Sequence, residues 1–216
     1  MTDLLGFALL AFTSFFTLIN PIGTMPIFMT MTADLDTPHR NYTARKASIA
    51  AFITIIAFAF SGQLLFNFFG ISVNSFRVVG GVIFFLMGMD MLQARLSSIK
   101  VHGKGKAEKK EIVDDISITP LAIPMISGPG AITNAIVMME DADTVQHKLV
   151  LISSIFGVLL LTYLILLSSG KILKLLGNTG KNVLMRLMGL IVMVIAVEFF
   201  FSGMKPIIID ILKSAQ

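Results

Sequence analysis

Two clusters of proline, glycine and small polar residues interrupt otherwise apolar sequence. Their residues are the main candidates for chemical function in this chain. The first reads NPIGTMP over residues 20–26, and the second reads SGPG over residues 127–130, after Pro120 and Pro124. A proline inside a helix costs roughly 3 kcal/mol and a glycine about 1 kcal/mol. Each cluster therefore predicts a broken helix. Backbone freed deep in a bilayer is tolerated only against protein or water, so each break should line a cavity.

Corresponding breaks in two halves of a chain are typical of a transporter binding site. A half-helix that begins after a break presents unpaired N–H groups and the positive end of its dipole, which suit a carboxylate or another anionic group. The predicted substrate-binding residues are Asn20, Pro21, Gly23, Thr24, Ser127, Gly128, Gly130, Thr133 and Asn134. The alternative interpretation is a pair of ordinary kinks, since proline and glycine are common in transmembrane helices.

Two acidic residues, Asp90 and Glu198, lie within apolar segments, where a charge costs roughly 2.5 to 3.5 kcal/mol at the bilayer centre. They are candidates for proton or cation coupling, although each lies close enough to a helix end to reach interfacial water instead. The chain has no Cys, its three His fall in polar loops, and it carries no nucleotide-binding or hydrolase motif. We therefore predict no metal site, no cofactor and no enzymatic activity.

The elements that position these residues are six apolar stretches, whose composition excludes a soluble protein. Of 216 residues, 55% are hydrophobic and only 14% are charged, against about 25% charged in a soluble domain. The stretches cover residues 4–31, 47–69, 78–94, 116–139, 149–170 and 183–203, with Asp90, Arg186 and Glu198 as their only charges. Each has about the length that crosses a bilayer as a helix. The predicted fold class is therefore an all-α membrane protein with six transmembrane helices, of which helices 1 and 4 are broken near mid-membrane.

The distribution of Lys and Arg predicts the orientation. Six spans place 13 of the 17 basic residues on one side, in the first loop, in the long segment between helices 3 and 4, and around the loop before helix 6. Positively charged loops remain in the cytoplasm. We therefore expect an integral, multi-pass protein of the plasma (bacterial inner) membrane with both termini outside the cytoplasm. The net charge of +4 reflects this topology and predicts no nucleic-acid partner.

The two halves of the chain align with each other. The register that places Asn20 on Ser127 also places Gly70 on Gly177, and a small gap then brings Arg77 onto Arg186. Because three helices per unit is an odd number, the second unit must cross the membrane in the opposite sense. The predicted organisation is a first three-helix repeat at 1–94, a basic cytoplasmic linker at 95–115 and a second, inverted three-helix repeat at 116–216.

The stretches LINPIGTMPIF in the first helix and IPMISGPGAIT in the fourth, with six spans and a basic central linker, resemble the MarC family of integral membrane proteins over essentially the whole chain. The family name refers to multiple antibiotic resistance and is not evidence of drug efflux. The resemblance implies a fold related to amino-acid exporters of the LysE type, and some members are described as transporters of small neutral amino acids. It places the substrate-site loops at Asn20–Gly23 and Ser127–Gly130.

The sequence leaves three functions open. The first is a secondary transporter that binds a small zwitterionic or carboxylate-bearing solute between the two breaks and alternates access by rocking one repeat against the other. A neutral amino acid is the solute that the resemblance implies. The second is a channel for small solutes or ions, and the third is a membrane enzyme or a scaffold. We predict the first, with the solute and the lipid bilayer as partners, and leave a homo-oligomer and the direction of transport open.

Overall fold

The computed structural model describes residues 4–32, 35–93 and 116–214, and the regular structure in these ranges is helical throughout. In chain order the helices are α1 Leu4–Ile19, α2 Pro21–Met31, α3 Thr37–Phe69, α4 Val73–Leu92, α5 Ser117–Ile126, α6 Pro129–Glu140 and α7 Val145–Ser214. This confirms the predicted all-α class. The predicted linker at 95–115 lies outside the described residues.

Within the described residues, five segments are long and apolar enough to cross a membrane, and a bent pair of helices makes up a sixth candidate. The five are Leu4–Met29, Thr37–Phe69, Val73–Leu92, Val145–Ile172 and Asn182–Ser214. The bent pair is α5 and α6, which meet at an angle of 57°. The candidate spans therefore agree in number and place with the six apolar stretches of the sequence.

The core is formed by buried faces of α1, α2, α3, α5, α6 and the first part of α7. On α3 the fully buried residues Ala47, Ala51 and Ile55 recur every four residues, as one face of a helix requires. Many Leu, Ile and Phe side chains on the outer faces of the helices are exposed. Apolar surface on this scale is typical of a protein that is covered by lipid.

The C-terminal part of α7 packs against α4 in antiparallel orientation, and glycines let the two backbones meet. A Cβ added at Gly81 would lie 2.8 Å from the carbonyl oxygen of Ala196, and one at Gly88 would lie 2.9 Å from that of Gly189. Going from Gly81 to Gly88 along α4, the contacting residue of α7 moves back from Ala196 to Gly189, which is the order of an antiparallel pair. Close contact between small residues is typical of transmembrane helix pairs, which associate through van der Waals packing.

A glycine in left-handed conformation ends the second long helix of each half of the chain. Gly70 follows α3 with φ +65°, and its N–H donates to the carbonyl of Asn67. Gly177, with φ +62°, breaks α7 between its two candidate spans. Glycine adopts a positive φ without steric cost, which explains why both helices stop at these residues.

Replacing Gly70 with alanine should lower the free energy of unfolding by about 1 kcal/mol, because alanine is strained at this φ. No atom lies within 4 Å of the added Cβ, so the backbone alone would cause the loss. Gly6 has equally open surroundings but lies inside α1, so Gly6→Ala should be neutral or slightly stabilising. Thermal unfolding in detergent measures both variants. Equal Tm values for the two variants would contradict this explanation.

Candidate functional site

The first break lies between α1 and α2 and is built around Asn20. Its backbone has φ +47°, a left-handed conformation that asparagine tolerates better than most residues. The side-chain Oδ1 accepts a hydrogen bond from the N–H of Gly23 at 3.0 Å and so caps α2. Pro21 has no N–H and begins α2, where proline is favourable. The local sequence thus explains why one helix stops at Ile19 and the next begins two residues later.

Gly23 fixes the carboxamide of Asn20, and Thr24 fixes the backbone beside it. The carboxamide packs directly over Gly23, where any Cβ would overlap it. Thr24 is buried, and its Oγ1 donates to the carbonyl oxygens of Ile19 and Asn20 at 3.2 and 3.1 Å. Because Oδ1 of Asn20 is engaged with Gly23, its Nδ2 is left, and no described residue accepts a hydrogen bond from it. This Nδ2 is a donor available to a bound carboxylate.

The second break lies between α5 and α6 and is less regular. Thr119 and Ile123 of α5 have extended backbone, with φ −125° and −129°. Each precedes a proline, whose ring disfavours helical conformation in the residue before it. Ser127 follows, and its Oγ donates to a carbonyl five residues earlier at 2.7 Å. Pro129 then begins α6, with Gly128 as an N-cap that has no side chain.

The N-terminus of α6 is buried and uncapped. Gly130 and Ala131 are buried, and no side chain caps the first turn. Thr133 in the next turn is only 2% exposed, and its Oγ1 has no hydrogen-bond partner. Buried polar groups are almost always hydrogen-bonded, and an uncapped helix N-terminus attracts negative charge. The N-terminus of α6 would therefore stabilise a solute carboxylate that reached it.

A small cavity of about 40 Å³ lies beside the first break. Asn20, Gly23 and Thr24 form one wall of it. Its other walls come from Leu18, Ile19, Ile27, Met125 next to the second break, Phe84 and Met87 of α4, and Val192 and Ile195 of α7. Small-molecule sites also have mainly apolar walls and a few polar groups that orient the ligand. The cavity therefore has the lining of a site for a small solute, but in this conformation it has room for only a few water molecules and must widen to admit the solute.

Three apolar side chains cover the N-terminus of α6. The ring of Phe84, which lines the cavity, packs onto Gly128 so closely that a Cβ there would overlap it. The ring of Phe199 packs onto Gly130 in the same way, and the centroids of the two rings are 6.4 Å apart. Leu18 Cδ2 lies 3.1 Å from the Cβ position of Gly130. The cavity and the α6 N-terminus are thus separated in this conformation.

A more open groove of about 350 Å³ lies on the far side of Leu18. We call it the polar groove, because Thr13, Ser14 and Thr17 of α1 and Asn134 of α6 line it. Leu18 lines both the polar groove and the cavity. Its side chain is therefore part of the wall between them.

The structure brings three of the nine predicted substrate-binding residues into one cavity, namely Asn20, Gly23 and Thr24. Pro21, Ser127, Gly128, Gly130 and Thr133 are buried and do not line it, and Asn134 lies in the polar groove. A role in binding stays a prediction for all nine residues.

Asp90 and Glu198 line neither the cavity nor the polar groove. Asp90 lies near the C-terminal end of α4, and Glu198 is exposed on α7. The antiparallel packing of these helices places the two carboxylates roughly 16 Å apart along the helix axis, at 1.5 Å per residue. They therefore do not form one ion site. Among the described residues, no group of three acidic or histidine side chains could hold a metal ion.

The apolar walls of the cavity were missed at the sequence level. Four of these wall residues form two pairs with the same spacing along the chain. Val192 follows Phe84 by as many residues as Ile195 follows Met87, and all four side chains line the cavity. A comparison of the two halves at this spacing would have paired them. The spacing differs by one residue from each of the two at which residue types align the halves, so that alignment did not pair them.

Comparisons with known proteins agree with the membrane fold. The model of the family described as MarC family integral membrane protein matches residues 5–208. A UPF0056 membrane protein of Pyrococcus horikoshii is 39% identical over 91% of this chain and 94% of its own length. The UPF0056 membrane protein YvbG of Bacillus subtilis is 38% identical over 93% of this chain and 95% of its own. No solved structure matches the chain.

Proposed function

This chain belongs to the MarC family of integral membrane proteins, and we propose that it is a secondary transporter of a small carboxylate-bearing solute. The observation that carries the proposal is the lining of the cavity at the first helix break, which would widen when the solute binds. It combines an unpaired amide donor on Asn20 with walls supplied by both halves of the chain. Neutral amino acids are the solute class that we propose.

We propose that the two halves are inverted repeats, in the register that pairs the apolar walls of the cavity. Pro21 and Pro129, which this register also pairs, each begin the half-helix after a break. Asp36 and Thr144, paired in the same register, each accept a hydrogen bond from the N–H three residues later at the start of a long helix. The antiparallel packing of α4 and the C-terminal part of α7 supports the opposite sense of the two units. A cavity walled by matched residues would then lie on the axis that relates them.

In the proposed cycle the solute enters the cavity and its carboxylate accepts a hydrogen bond from Asn20 Nδ2. Movement of one repeat against the other then displaces Phe84 and Phe199 from the N-terminus of α6. The N–H groups of its first turn and Thr133 Oγ1 become available to the same carboxylate. The two breaks thus bind the solute in succession, and the aromatic pair prevents both sides from opening together.

The basic side chains support a cytoplasmic position for one end of the bundle. Arg40 and Arg45 lie in the first turns of α3, and Lys171 lies at the end of the first span of α7. Arg40 Nη1 lies 2.9 Å from the Cβ position of Gly170, so these helix ends are adjacent. Cytoplasmic loops carry an excess of Lys and Arg. We therefore propose that this end faces the cytoplasm of the bacterial inner membrane and that both termini lie outside.

Exchange in proteoliposomes tests the function. Vesicles that contain the purified protein and unlabelled alanine are given radiolabelled alanine, and a panel of other neutral amino acids is tested as competitors. A transporter predicts uptake that saturates and that internal alanine accelerates. Unsaturable flux without acceleration would instead indicate a channel. Absence of flux for the whole panel, with protein that remains monodisperse, would contradict the proposed solute class.

Leu18→Ala should join the cavity to the polar groove and so uncouple exchange. The shortened side chain removes part of the wall that both spaces share, at the point where Leu18 approaches Gly130. We expect efflux of preloaded alanine without external alanine to rise several-fold, while the acceleration by external alanine falls. Efflux from proteoliposomes, with and without external alanine, measures both quantities.

Leu10→Ala is the matched control for Leu18→Ala. It makes the same chemical change on the same helix, but Leu10 is 56% exposed on the outer face of α1. Its efflux and exchange should equal those of the unmodified protein. If Leu18→Ala shows the same ratio of exchange to efflux as Leu10→Ala, Leu18 does not separate the two spaces.

A further inference from the structure

A groove of about 240 Å³ runs between α3 and the first part of α7, away from the solute cavity. The two helices are antiparallel here. Phe52 of α3 meets Phe156 of α7 with ring centroids 6.0 Å apart. Arg45, seven residues before Phe52, and Tyr163, seven residues after Phe156, also line the groove. Seven residues of helix correspond to about 10 Å. The groove therefore runs from a cationic end at Arg45 to an aromatic, wholly apolar end at Phe52 and Phe156.

The rim of the groove offers one cationic group to a ligand. Arg45 is exposed, its guanidinium lies 5.7 Å from the centroid of the Tyr42 ring, and no described carboxylate forms an ion pair with it. Ser48 lies one helical turn further into the groove, but its Oγ is fully buried and presents no surface to a ligand. An unpaired guanidinium at the rim suits the oxygens of a phosphate ester.

The position of the groove in the membrane defines its occupant. Arg45 lies just before the apolar run 47–69, at the end of the bundle where Arg40 and Lys171 also lie. Below Arg45 the groove is lined by Ile49, Phe52, Phe156 and Leu160, which would contact acyl chains. Basic pockets between transmembrane helices on the cytoplasmic side bind anionic lipid head groups. A phospholipid has the same arrangement, with a charged head group at one end and apolar acyl chains at the other.

We infer that this groove binds an anionic phospholipid, with its phosphate on Arg45 at the rim and an acyl chain between Phe52 and Phe156. The cation holds the negatively charged head group, and the apolar lining of the groove contacts the acyl chain. A zwitterionic lipid fits the apolar part equally well but gains less from the unpaired guanidinium. The inference is independent of the solute that the cavity binds.

Quenching by brominated lipids tests the inference, because the chain has no Trp of its own. Phe156→Trp places a single fluorophore in the groove. The full-length variant is reconstituted into mixtures of dioleoylphosphatidylcholine and dioleoylphosphatidylglycerol, with either lipid brominated in turn. We expect brominated phosphatidylglycerol to occupy the groove about five-fold more readily than brominated phosphatidylcholine at low salt, and the preference to fall as salt is raised.

Two further variants locate the contact. Arg45→Gln in the Phe156→Trp background should reduce the preference to about one, whereas Arg77→Gln, which removes an equal charge at the start of α4, should leave it unchanged. Phe201→Trp, 64% exposed on the outer face of α7, should show no preference between the lipids. Equal quenching by both lipids at Phe156→Trp, or a preference that survives Arg45→Gln, would overturn the inference.

Discussion

Replacing Gly81 with leucine is expected to prevent the protein from reaching its native fold. A Cβ at this position would lie 2.8 Å from both the carbonyl oxygen of Ala196 and the backbone nitrogen of Phe200. Both atoms belong to the backbone of α7, which cannot move aside as a side chain can. Overpacking costs roughly 1 to 3 kcal/mol where side chains adjust, and a forced separation of two helices costs more.

The cost is large because Gly81 is one of a series of close contacts. Gly81 and Gly88 on α4 face Ala196 and Gly189 on α7, and a Cβ at Gly203 would lie 2.6 Å from the carbonyl of Asn74. The small residues on each helix are seven residues apart, which is the spacing that keeps one seam along two packed helices. Separating the helices at Gly81 would therefore open the seam above and below it.

Size-exclusion chromatography and thermal unfolding in detergent measure the effect. Gly81→Leu should give aggregated protein or a Tm lowered by more than 10 °C, which corresponds to about 2 to 5 kcal/mol for a chain of this size. Gly6→Leu adds the same side chain to α1, where no atom lies within 4 Å, and should leave the elution profile and Tm unchanged. A monodisperse Gly81→Leu protein with the native Tm would disprove the close packing of α4 on α7.

The helices could be predicted from sequence because their causes are local. Apolar runs define the spans, and α2 and α6 each begin at a proline, Pro21 and Pro129. Residue type alone does not define the register of the proposed repeat. Matching by residue type aligns Gly23 with Gly130, whereas the register that we propose pairs Pro21 with Pro129, since each proline begins a half-helix.

The composition of the cavity depends on tertiary packing and was only partly predictable. Asn20 and Thr24 lie at a break and are polar, so they were recognisable. Phe84 and Val192 look like any apolar residue of a span, and only the packing of α4 on α7 directs them to the cavity. Thr133 was expected in the same cavity, but it is buried elsewhere, because the position of α6 is determined by its contacts with α3 and α4.

Asn20→Asp is expected to abolish exchange of a carboxylate-bearing solute while the protein stays folded. Aspartate keeps the oxygen that accepts from the Gly23 N–H, and it tolerates the left-handed φ of +47° nearly as well. It loses the Nδ2 donor and places a negative charge in the cavity. A hydrogen bond to a charged group contributes about 1.5 to 3 kcal/mol, so exchange of alanine should fall at least about ten-fold.

Two other substitutions at Asn20 separate binding from folding. Asn20→Gly keeps the backbone conformation but loses the cap and the donor, so it should lose exchange with a small decrease in Tm. Asn20→Ala also strains the backbone, which costs roughly 1 to 2 kcal/mol more, and should have the lowest Tm of the three. Exchange in proteoliposomes and thermal unfolding measure the series. If Asn20→Asp exchanges alanine at the unmodified rate, the solute carboxylate does not bind at the first break, because a like charge beside it would otherwise repel it.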